Sequence, residues 1–189
     1  PFATWNDWGA SQGDLFIVDM NGEVALHQNI TSGIPNNLEE TILGLVTPTI
    51  DPCELGTVYV SEGHNVGDPE DWIEIFNSGE NECSLEGFKL DDSNEFEDLT
   101  FGDITLSAGG YWLCYEDAEG CFSSGLGGGG DEIWLADPEG NTSMVTLLSS
   151  EESDGISLSQ SFDANGVGCY TQPTPGQANS ECVTLSNDK

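Results

Sequence analysis

From Asp71 to Asn179 the chain never stays apolar for long. Short hydrophobic runs recur at close intervals, separated by clusters of Gly, Asn, Asp and Ser. That rhythm leaves no room for long helices and is how an antiparallel β-sandwich reads in one dimension. Strands are expected over residues 56–63, 72–77, 85–92, 99–101, 104–106, 111–115, 132–136, 143–148 and 156–162. Asp137-Pro138-Glu139-Gly140 supplies the turn of one hairpin. Phe88 and Leu90 fall on one face of the third strand.

The first 46 residues follow a different logic. Asp14-Leu15-Phe16-Ile17-Val18-Asp19 reads as a buried strand, Met20-Asn21-Gly22-Glu23 as a turn with Asn-Gly at its centre, and Val24-Ala25-Leu26-His27-Gln28 as the returning strand. A helix is expected over 36–46, with an Asn cap, early Glu residues that suit the helix dipole, and apolar positions 38, 42, 45 and 46 on one face. Strand, tight turn, strand and helix, preceded by Trp8-Gly9-Ala10-Ser11-Gln12, resemble the C-terminal part of the thioredoxin-like redoxin fold over residues 5–46. That fold carries its redox cysteine in an earlier βα unit, whereas the first cysteine here is Cys53, so the resemblance implies that the catalytic half is absent. A hairpin with one helix buries its apolar faces poorly alone and is expected to dock on the sandwich, on another chain or on an upstream segment. The prolines at 48 and 52 make residues 47–56 a linker.

A second resemblance covers residues 57–180. Asp71-Trp72-Ile73-Glu74-Ile75-Phe76-Asn77, then Leu85-x-Gly87-Phe88-x-Leu90-x-Asp92, then Leu106-Ser107-Ala108-Gly109-Gly110-Tyr111, then a Gly-rich run into Asp131-Glu132-Ile133-Trp134-Leu135, and finally Pro173-Thr174-Pro175-Gly176-Gln177-Ala178-Asn179 are similar, in that order, to the lamin tail domain. The resemblance implies a mainly β, immunoglobulin-like antiparallel sandwich that serves as a binding or assembly module, with residues 181–189 left as a tail. The closing Pro-Thr-Pro-Gly stretch cannot extend a sheet and is expected to cap the sandwich.

Charge sets the surroundings. Two lysines and no arginine stand against 35 acidic residues, a formal net charge of −33. Such a surface repels phosphate backbones and anionic headgroups, which argues against nucleic acid and membrane-surface binding. No apolar run approaches the length of a membrane helix. Carboxylates at this density destabilise a compact state unless cations screen them.

Six cysteines without a C-x-x-C pair fit a disulfide framework better than zinc or dithiol chemistry. Fifteen pairings are possible. Cys114 and Cys121 bracket a candidate hairpin tip, an antiparallel first pair of strands brings Cys83 near Cys53, and Cys169 with Cys182 would clasp the proline cap. Two glycosylation acceptors, at Asn29 and Asn141, join the cysteines in favouring a secreted, extracellular protein. The chain opens at Pro1 rather than Met, as a processed product or fragment would.

Acidic clusters lie at 68–71, 91–92, 95–98, 116–119 and 151–154. Loops rich in Asp, Asn and Gly supply the oxygens that Ca²⁺ prefers. A Ca²⁺ site is expected at Asp91, Asp92 and Asp98, against the plainer reading of a solvated acidic surface. The run 125–130 lacks the Lys of a phosphate loop and reads as a flexible loop. His27 and His64 are isolated and in different units, and no serine has a nucleophile context. These readings converge on a non-catalytic extracellular assembly or adhesion module that self-associates or meets a co-subunit, as in a filament or surface matrix. Alternatives are an accessory domain of a thioredoxin-like redox enzyme and a Ca²⁺-dependent carbohydrate-binding module with Trp5, Trp8 or Tyr115 as stacking platforms.

Overall fold

The computed structural model describes residues 9–19, 21–46, 50–67 and 70–185. The chain divides into two compact units, Pro1–Thr49 and Ile50–Lys189. Trp5, Trp8 and the first part of the expected linker, 47–49, lie outside the described residues.

In the first unit, strands β1 (Asp14–Val18) and β2 (Val24–Asn29) form the expected hairpin, with a bulge after Ile17. The turn needs more than Asn-Gly. Asp19 Oδ1 accepts the backbone N–H groups of Asn21 at 2.9 Å and Glu23 at 2.8 Å, so one carboxylate organises the reversal. Helix α1 (Leu38–Val46) starts two residues later than its Asn signal, with the Asn37 carbonyl accepting the Thr41 N–H. Leu38 and Leu45 are half-buried, but Ile42 is 42% exposed, so the expected apolar face is covered only in part.

The second unit is the sandwich. Its strands are β3 (Val58–His64), β4 (Trp72–Asn77), β5 (Cys83–Ser84), β6 (Lys89–Asp91), β7 (Leu99–Thr100), β8 (Thr105–Leu106), β9 (Tyr111–Tyr115), β10 (Asp131–Ala136), β11 (Thr142–Leu147), β12 (Glu152–Ser153), β13 (Ile156–Ser157), β14 (Ser159–Phe162) and β15 (Gly168–Thr171). A five-stranded sheet of order β15-β14-β3-β4-β9 faces a four-stranded sheet of order β11-β10-β6-β7. Every named strand pair is antiparallel. Val58, Val60, Ile73, Ile75 and Phe162 from one sheet meet Leu90, Ile133, Leu135, Val145 and Leu147 from the other in a single core.

Several boundaries differ from the sequence reading. The expected strand over 85–92 shortens to β6 because Gly87 takes a φ of +80° inside a turn that joins Phe88 N to the Leu85 carbonyl at 3.0 Å. Residues 51–56 are not linker: Cys53 N donates to Ser84 O at 2.8 Å, and Pro52 bridges Ser84. At the far end Val183 N donates to Tyr170 O at 2.7 Å, so residues expected as tail are also built in. Strand β15 has no apolar signal strong enough to mark it. The cysteines pair as Cys53–Cys83, Cys114–Cys121 and Cys169–Cys182. Among the described residues no helix is long and apolar enough to cross a membrane.

Candidate functional site

The outer face of the five-stranded sheet carries the most unusual chemistry in the molecule. Strict alternation along β3 would turn Glu62 toward the core, on the side of Val58 and Val60. A bulge between Val60 and Glu62 adds Ser61 to the strand and resets the alternation, so that Glu62 stands opposite Glu74 of β4 on the outer face. Cross-strand rows result: Tyr59, Phe76 and Tyr111; Glu62, Glu74 and Leu113; His64, Trp72 and Tyr115.

Both glutamates are fully buried, at 0% exposure, although they lie on the face away from the core. The cover is the closing Pro-Thr-Pro-Gly strap. Glu62 accepts Thr174 N at 3.1 Å and the Thr174 hydroxyl at 2.7 Å. Glu74 accepts Gly176 N at 2.6 Å and the Ser61 hydroxyl at 2.7 Å. Asn179 Nδ2 donates to the Ser61 carbonyl at 2.9 Å, so the bulge residue touches the strap as well. Burial raises the Glu62 carboxyl against the lowering pull of the Thr174 bonds. Burial also pushes Glu74 up to about 7, aided by the facing charge of Glu62 and opposed by the Ser61 and Gly176 bonds.

The expected metal trio lies in one loop region, but its oxygens are largely engaged. Asp91, only 5% exposed, accepts Ser93 N at 3.0 Å, Glu97 N at 2.6 Å and Asp98 N at 3.1 Å. Asp98 accepts both the N–H and the hydroxyl of Ser123 and of Ser124. Burial raises Asp92 to about 6, with further contributions from its hydrogen bond to Asp91 and the charges of Asp91, Asp131 and Asp98. Among the described residues no three His, Cys, Asp or Glu side chains form a group that could hold a metal ion. Asp91 thus folds its own loop, whereas Asp98 ties that loop to Ser123 and Ser124.

The Gly-rich run is pinned as well, contrary to the flexible-loop reading. Asp71 holds Leu126 N at 2.9 Å, Asp131 holds Gly127 N at 2.6 Å, and Asn65 Nδ2 reaches the carbonyls of Gly127 and Leu148 at 3.0 Å each. Of the histidines, exposed His27 stacks on Phe16 at 4.0 Å and lies 3.2 Å from Asp14, so it is not isolated. His64 is buried against Trp72. Tyr115 is half-buried at the end of β9. Asn29 and Asn141 are exposed at strand ends, where Asp14 and Asp137 accept their side-chain amides at 2.8 and 2.7 Å.

Glu62 and Glu74 escape a sequence reading because an acid in an alternating strand is ordinarily a solvent-facing residue. A signal is present nonetheless. From Ala164 to Ser180 no residue is charged, in a chain otherwise crowded with acids, and that stretch contains the strap.

The lamin tail domain family model matches residues 54–151, just over half of the chain. The chain belongs to the lamin tail domain family. The match begins one residue after Cys53 and ends after β11, so in this lamin tail protein β12, β13, β14, β15 and the strap follow the matched segment. No curated protein and no solved structure matches the chain. The thioredoxin-like resemblance of residues 5–46 gains no support from the match, which lies wholly in the second unit.

Proposed function

We propose that this chain is a structural, extracellular assembly module whose self-association depends on cations. Lamin tail domains are immunoglobulin-like, non-catalytic modules, and protein partners are the ordinary business of such folds. The observation that carries the reading is the use made of the buried acids. Glu62, Glu74, Asp71 and Asp91 are all turned onto N–H or hydroxyl donors of the chain itself, which is stapling rather than catalysis. Three disulfides are what an oxidising compartment sustains, and exposed acceptors at Asn29 and Asn141 agree with secretion and glycosylation.

Assembly of copies that each carry −33 needs screening. Ca²⁺ or concentrated monovalent salt fills that role by diffuse neutralisation of surface carboxylates. The hairpin and helix of the first unit, with Ile34 and Ile42 exposed, offer apolar surface to a second copy or a co-subunit.

Analytical ultracentrifugation with electron microscopy tests this. Polymers or oligomers are expected with millimolar Ca²⁺ or high salt, and dissociation after chelation at low salt. A monomer under every condition overturns the proposal.

A further inference from the structure

Among the described residues, the carboxylate pair under the strap has no counter-charge. Around Glu74, β3 presents Glu62, Tyr59 and His64, and β9 presents Tyr111 and Tyr115. The strap presents nothing ionisable between Gln172 and Ser180 apart from hydroxyls and amides. Lys89 belongs to β6 of the opposite sheet, and burial keeps His64 toward its neutral form. A second negative charge at Glu74 would therefore face the Glu62 carboxylate in a buried site where, among the described residues, only N–H and O–H dipoles compensate it.

We propose that the strap is a proton-operated latch: it is held closed over the sheet when Glu74 carries a proton and loosened when both facing glutamates are ionised. The hydrogen bonds suit this. Gly176 N reaches Oε2 and the Ser61 hydroxyl reaches Oε1, so a proton on Oε1 keeps the Gly176 bond and reverses the other: Glu74 then donates to Ser61 Oγ, whose own hydrogen turns to the Glu74 carbonyl 3.4 Å away. The Cys169–Cys182 disulfide closes the loop that contains the strap, so loosening is a local lift and not a release of the chain end.

The linkage sign is fixed by the direction in which burial moves Glu74. Its folded-state value is raised from 4.5 to about 7, so the contribution is complete below the unfolded value and disappears as pH climbs through about 7.

Hydrogen exchange of the full chain, corrected for intrinsic rates and run in high salt to screen surface acids, reads the latch directly. Protection of the Thr174 and Gly176 amides should fall by about tenfold or more between about pH 5 and about pH 8, while β10 amides keep theirs. Glu74→Gln should flatten that dependence. Thr174→Val should increase opening at both pH values and leave their ratio intact. Equal protection at both pH values, an equal change in β10, or an unaltered pH dependence in Glu74→Gln overturns the proposal. If that variant does not fold, carbon-13 titration of the wild-type Glu74 carboxyl decides: a midpoint in the ordinary carboxylate range overturns it.

Discussion

Glu62 and Glu74 face one another across β3 and β4 because Ser61 is bulged out between Val60 and Glu62. Were Ser61 paired in regular register, it would stand opposite Glu74 and Glu62 would turn toward the core. The same serine gives its hydroxyl to Glu74 and its carbonyl to Asn179. A single irregularity in one strand thus creates both the acid pair and the seat of the strap.

Replacing Glu62 should reveal its acceptor role. Glu62→Leu strands Thr174 N and the Thr174 hydroxyl without an acceptor, whereas Glu62→Gln keeps one carbonyl oxygen. Urea denaturation is expected to show a loss of about 2–3 kcal/mol for Leu and about 1 kcal/mol for Gln. Equal stability of Leu and wild type would mean that water reaches the strap.

Two glycines should respond unequally to a methyl group. At Gly63 an added Cβ would come 2.9 Å from Leu147 Cδ2 and 3.0 Å from Ile133 Cδ1, which are side-chain ends that can shift. At Gly130 it would meet the Leu147 carbonyl at 3.0 Å, and φ there is +108°. Gly63→Ala should cost about 1–3 kcal/mol and Gly130→Ala more, because backbone cannot yield and the conformation suits glycine alone. Thermal melts of both variants check the order.

Asp71 should govern the Gly-rich loop. Its two oxygens hold Gly67 N at 2.7 Å and Leu126 N at 2.9 Å, tying two loops together. Asp71→Ala is expected to cost about 2 kcal/mol and to raise hydrogen exchange across 125–130 while leaving β4 and β9 protected. Unchanged exchange in that loop would contradict the tether.

Acid unfolding should begin at unusually low pH in the 91–98 region. Burial pushes Asp98 up, yet the bonds from Ser123 and Ser124 outweigh it and hold the carboxyl below its ordinary 3.8. Stability from this group is present above the unfolded value and is lost as pH falls through the lower folded value. Asp98→Asn should remove that part of the acid limb, seen as a shallower slope of stability below about pH 4.

Much of the architecture is legible in the order of the residues. The alternation in Trp72-Ile73-Glu74-Ile75-Phe76 marks a strand, and the arrangement of the first two sandwich strands places Cys53 beside Cys83. What alternation cannot encode is a bulge, since Ser61 looks like any other polar strand residue. Nor does composition tell an acid that meets water from one that meets backbone, as Asp91 and Asp98 do. Strand β14, Ser159-Gln160-Ser161-Phe162, is buried despite its polarity because the Gln160 side chain bonds both the N–H and the carbonyl of Leu148. Such satisfaction becomes visible only once the partner strand is in place.

The two outer disulfides also decide where mechanical load travels. A pull arriving along the chain before Cys53 crosses the covalent bridge to Cys83, so the segment containing β3 and β4 is bypassed. A pull arriving beyond Cys182 crosses to Cys169, and the strap is bypassed in the same way. Covalent tension therefore runs between Cys83 and Cys169, and the glutamate pair, on β3 and β4, meets it only through the hydrogen bonds that join those strands to β14 and β9.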